Sequence, residues 1–62
     1  MTVLELCSCI RNPEHTEVIL YSADNEVIFK GGTDYAMVSD FANCEVSNFR
    51  PMNYTIIVRL LT

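Results

Sequence analysis

Basic side chains are scarce in this chain: Arg11, Lys30, Arg50 and Arg59 stand against eight carboxylates and leave a net charge of −4. They are spread one per segment. Sequence-independent nucleic-acid binding relies on clustered Lys and Arg that neutralise phosphates, so direct binding of DNA or RNA is not expected. Long apolar runs are missing too, and no stretch approaches the roughly 18 residues a membrane helix needs. The opening Met-Thr-Val-Leu-Glu shows no basic region followed by an apolar one, so a cytoplasmic protein is expected. Cysteine is limited to Cys7, Cys9 and Cys44. An odd number cannot all pair within one chain, and reduced, mostly buried thiols are the expectation.

Glycine occurs only as Gly31-Gly32. A loop that cradles phosphate carries more glycines or a following lysine, so this pair reads as a turn leading into a helix cap at Gly32 or Thr33. Ser8, Ser22, Ser39 and Ser47 lack the glycine-flanked setting of an activated nucleophile. His15, in a polar loop with Glu14 and Glu17, has no nucleophile or oxyanion element near it in sequence, and an enzyme is not expected. Cys7, Cys9, His15 and Cys44 are residue types that ligate zinc, yet Cys7 and Cys9 would point about 200° apart on a helix. No metal or cofactor is implied.

What the chain does have is apolar residues, half of its 62. A chain this short makes one domain, residues 1–62, and buries only about 60% of the surface its unfolded form exposes. Such domains commonly lean on a staple, a metal or a partner subunit, and the apolar content favours a homo-oligomer.

Thr2 followed by Glu5 forms a capping-box signature, and Val3, Leu6, Cys7 and Ile10 share one helical face. The helix should stop near Arg11, ahead of Pro13. Glu17 to Gly31 then reads as a β-hairpin around an Ala-Asp-Asn-Glu tip. Asp34 favours a second helix, in which Tyr35, Val38 and Ala42 form one stripe, Met37 and Phe41 adjoin it, and Asn43 is the stop. Cys44 to Phe49 makes a weaker strand at a sheet edge, and Arg50-Pro51-Met52-Asn53 makes a turn. Tyr54 to Leu61 is the strongest strand, suited to the sheet interior. The order αββαββ implies an α+β fold, a four-stranded and mostly antiparallel sheet with two short helices on one face. It also invites reading residues 2–30 and 33–61 as a pseudo-repeat.

Period-two alternation assigns Val18, Leu20, Val27, Phe29, Ile56, Val58 and Leu60 to the face the helices cover. The other face keeps Ile19, Tyr21, Ile28, Phe49, Tyr54, Ile57 and Leu61, and these are the expected partner-binding residues. Two alternatives carry their own residues. An acidic mimic of nucleic acid would use Asp24, Glu26, Asp40 and Glu45, and a nucleotide or other small-ligand binder with an intersubunit pocket would use Tyr35, Tyr54 and Arg59.

The segments Thr2-Val3-Leu4-Glu5-Leu6, Glu17-Val18-Ile19-Leu20-Tyr21 and Val27-Ile28-Phe29-Lys30-Gly31, with Asp24 between the strands and a Gly-Thr helix start, carry a resemblance. Over its first 35 residues the chain resembles a loose group of small α+β proteins encoded by Gram-positive gut bacteria and by their phages and mobile elements. The resemblance implies a phage-type inhibitor of a host defence complex, working in the host cytoplasm by binding a nucleic-acid enzyme or sequestering a signalling nucleotide. Its second helix is shorter than in that group, and Phe49-Arg50-Pro51-Met52 has no counterpart there.

Overall fold

Two central strands organise the molecule. A computed structural model describes residues 1–61, and in it α1 (Val3–Ser8), a 3-10 turn (Pro13–His15), β1 (Glu17–Tyr21), β2 (Val27–Gly32), α2 (Thr33–Met37), β3 (Val46–Met52) and β4 (Thr55–Leu60) follow in order. The fold is α+β, and its sheet runs β2-β1-β4-β3. Both hairpins are antiparallel, while β1 and β4 meet in parallel at the centre. Consistent with its weak pattern, β3 lies at an edge; β4, which carries the strongest strand pattern, lies inside.

The parallel register sets Val18 opposite Ile56 and Leu20 opposite Val58. Val18, Leu20, Val58 and Leu60 are therefore one continuous floor, and all four are buried. Above it sit Val3, Leu6 and Cys7 from α1 and Ala36 from α2. Fully burying a side chain of this kind is worth about 1.5–3 kcal/mol, so this cluster is the main opponent of chain entropy. Gly31 leaves room on the same face for the Phe29 ring, whose Cζ would lie 3.3 Å from an added Cβ.

The first helix begins as its sequence dictates. Thr2 Oγ1 accepts from the Glu5 N–H at 3.2 Å and Glu5 Oε1 accepts from the Thr2 N–H at 2.8 Å. These satisfy two orphan donors of the first turn. It ends at Ser8, earlier than Arg11, with Cys9 as the cap. The second helix is shorter than its stripe suggested. The Ser39 hydroxyl donates to the Ala36 carbonyl at 2.7 Å and accepts from the Phe41 N–H at 3.2 Å, so side-chain bonds replace the helical ladder. The helix consequently stops at Met37, Tyr35 and Val38 face water, and the buried positions are Thr33 and Ala36. Thr33 anchors the start of α2: its N–H and hydroxyl both donate to the Thr16 carbonyl, at 3.2 and 2.9 Å.

Two further expectations are corrected. Gly31 and Gly32 are the last two residues of β2, paired with Val18 and Glu17, so they end the strand as part of it and not as a turn, and Gly32 is the N-cap of α2 as expected. The segment Arg50-Pro51-Met52 is strand, and the turn is Asn53-Tyr54, with Met52 opposite Thr55. Proline is tolerated there because an edge strand does not need every N–H in a ladder.

Both outer strands carry an irregularity that changes which residues share a face. In β2 the register slips between Leu20 and Tyr21, which pair with Phe29 and Val27, so Ile28 is the extra residue of a bulge. In β3 the slip falls between Val46 and Asn48, which pair with Leu60 and Arg59. Each bulge overturns a face assignment made by simple alternation.

Candidate functional site

The sheet face away from the helices is assembled from β1 and β4 with their outer neighbours. Ile19 and Tyr21 of β1 lie beside Ile57 and Arg59 of β4. Lys30 stands next to Ile19, Val27 next to Tyr21, Arg50 next to Ile57, Asn48 next to Arg59, and Met52 next to Thr55. Ile19, Tyr21 and Ile57 are half-buried, whereas Val27 and Met52 are more than half exposed. Among the described residues no helix covers this apolar centre, since α1 and α2 pack on the other face; it is rimmed by polar and charged side chains.

That rim is basic. Three of the four cations, Lys30, Arg50 and Arg59, project on this one side, although they are far apart in sequence. Among the described residues the only ion pair joins the Met1 ammonium to Glu45 at 3.1 Å, so all three lack a carboxylate partner there. The one carboxylate that alternation places on the face is Glu17, opposite Thr55 at the far end of β1. At four residues from Tyr21 it is about 13 Å along the strand. Tyr21, Asn25, Asn48, Arg50, Ile57 and Arg59 line a concavity of about 390 Å³ at the other end.

The hairpin that carries Asn25 to the rim is held by its own side chains. Ser22 Oγ accepts from the N–H groups of Asp24 and Glu26 at 3.2 and 3.3 Å, and the Ser22 carbonyl accepts from the Asn25 N–H at 3.0 Å. Asn25 adopts φ 67°, a left-handed conformation that asparagine tolerates.

The expected partner-binding residues divide. Ile19, Tyr21 and Ile57 share the helix-free face, and Leu61 lies just beyond β4, exposed. Ile28 does not belong to the face: the bulge turns it against the core, and Val27 takes its place. Phe49 is opposite Val58 and so lies on the helix side, where it is still 47% exposed. Tyr54 is in the β3–β4 turn at φ 53°, 79% exposed, and not in a strand. It lines a second depression of about 480 Å³ with Asn12, His15 and Thr16.

Neither alternative set is gathered within one chain. Asp24 and Glu26 sit on the tip of the β1–β2 hairpin, while Asp40 and Glu45 lie on the α2–β3 connection, Glu45 being held by the terminal ammonium. Tyr35 is on α2, Tyr54 in a turn and Arg59 on the opposite face of the sheet. The residues that sequence reasoning missed are Asn25, Lys30, Asn48 and Arg50. Their signal exists only once the register is known.

The thiols are separated by environment. Cys7 is buried, and desolvation pushes its pKa above the ordinary thiol value; Cys9 is exposed and Cys44 partly covered. Among the described residues no three His, Cys, Asp or Glu side chains are grouped to hold a metal ion, and no helix is long and apolar enough to cross a membrane. Comparison with known proteins finds no matching family model, no matching curated sequence and no matching solved structure.

Proposed function

We propose that this chain is a non-enzymatic binding module whose helix-free sheet face takes an anionic partner. One observation carries the reading. In a protein of net charge −4, three of four cations surround a half-covered apolar centre, with no carboxylate partner among the described residues. Unneutralised cations around an aromatic and two isoleucines suit a surface that presents carboxylates or phosphates beside apolar groups. Two copies meeting through this face would set like charges against each other, so charge favours a foreign partner over a second copy. With the resemblance to small phage proteins, the partner is an acidic surface of a host defence complex, and the module acts by occupying it.

An NMR titration of the full chain with a Glu-rich peptide bearing one tyrosine tests this reading. Amide shifts should concentrate on Ile19, Tyr21, Ile57 and Arg59, weaken as salt rises, and disappear in the Arg50→Glu, Arg59→Glu double variant. Shifts confined to the helical side, or insensitive to the double variant, would remove the support.

A further inference from the structure

Resting on that reading of the face, we infer that the concavity formed by Tyr21, Asn25, Asn48, Arg50, Ile57 and Arg59 is a site for a phosphate group attached to a planar base, a nucleoside monophosphate. The argument begins with register. Arg59 stands between Tyr21 on β1 and Asn48 on β3, and Arg50 is beside Ile57, so two guanidinium groups overhang one floor. Each guanidinium offers a planar fork of donors suited to bidentate pairing with an oxyanion. A carboxylate satisfies one fork, whereas the three terminal oxygens of a phosphate can engage two. The floor itself, half-buried Tyr21 and Ile57, gives a flat ring a surface to stack on, and stacking tolerates any base.

The remaining lining residues read edges instead of charge. Asn25 and Asn48 each supply an amide donor and an amide acceptor, the complement of a base or ribose. Asn25 reaches the rim on a loop held by three hydrogen bonds to Ser22, and the neighbouring β2 bulge locally increases the strand twist. The cavity, about 390 Å³, falls within the range of about 300–1,000 Å³ typical of small-molecule sites. Asp24 and Glu26 flank Asn25 on the same hairpin tip and are both exposed. Their charge penalises additional phosphates, so a monophosphate should bind better than a triphosphate.

The test is a set of parallel NMR titrations of the full chain with AMP, ATP, adenosine and inorganic phosphate, followed on the amides of Tyr21, Asn25, Asn48 and Arg59. AMP should bind about tenfold or more tightly than adenosine or phosphate alone, and no more weakly than ATP. Arg59→Ala and Arg50→Ala should each remove most of the AMP affinity while leaving adenosine unchanged, and Arg59→Lys should fall between, having charge without the fork. Both positions are exposed, and spectra of the variants report directly that they fold. AMP binding equal to phosphate, ATP binding above AMP, or silence of these amides through about 1 mM would each overturn the inference. If AMP is silent while the acidic peptide still shifts the same face, this inference fails alone; if both are silent, the binding-module reading fails with it.

Discussion

The β2 bulge makes a prediction that alternation along the strand makes in reverse. Truncating Ile28 and Val27 to alanine, one at a time, separates the two. Ile28 is partly buried and packs against the core cluster, while Val27 is 54% exposed on the opposite side. Removing a fully buried isoleucine costs about 2–5 kcal/mol, and partial exposure places Ile28→Ala near the low end, about 2 kcal/mol. Val27→Ala removes mostly solvated atoms and should cost about 0.5 kcal/mol. A chain of this size has a total stability of about 3–9 kcal/mol, so the difference of about 1.5 kcal/mol is a large fraction of it. Urea unfolding reads it out: with a slope near 1 kcal/mol per molar, the two midpoints should differ by about 1.5 M. Equal slopes would show that the unfolded state is the same in both. Val27→Ala costing as much as Ile28→Ala, or more, would mean that the ladder is regular and that the face assignment used for the site is wrong.

Three further outcomes follow from exposure and ionisation. Iodoacetamide should label Cys9 quickly and Cys7 slowly in the folded protein. Because burial raises the folded pKa of Cys7, its contribution is intact below the ordinary thiol pKa and is lost as pH rises through the raised value. Stability should therefore fall above about pH 9, and a Cys7→Ala variant showing the same alkaline slope would refute that origin. Glu5 has its carboxyl pKa lowered, first by the Thr2 N–H and then by the Thr2 hydroxyl. Its contribution is present above the ordinary carboxylate range and disappears as pH falls through the lowered value. A carboxyl titration by NMR should show Thr2→Ala moving the Glu5 pKa part of the way back up, since the backbone donor remains. No movement would exclude the Thr2 hydroxyl as a cause.

Much of the architecture was legible because it rests on local rules. The Thr2–Glu5 capping box, the hairpin around Asp24-Asn25 and the β-branched stretch of β4 each declare themselves in a few consecutive residues. The end of α2 was less legible, because Ser39 competes for backbone groups in a way that a stripe of apolar positions does not record. The turn at Asn53-Tyr54 was obscured for a related reason. Pro51 is a strong turn signal, yet at an edge it fits a strand, and the residue taking positive φ is a tyrosine instead of the asparagine before it. Of the site, Ile19, Tyr21 and Ile57 were visible from period-two alternation, and Arg50 and Asn48 were not.

By itself the sequence determined the α+β class, the interior position of the closing strand and the presence of an apolar sheet face that two short helices leave open. Those follow from side-chain periodicity, which is a property of neighbours along the chain. The tertiary structure alone decided the parallel meeting of β1 with β4, and with it the gathering of Lys30, Arg50 and Arg59 around Tyr21. It also decided that Ile28 and Phe49 leave that face. A single extra residue in an outer strand reverses every later assignment of side, and whether it is accommodated depends on the packing of the partner strand.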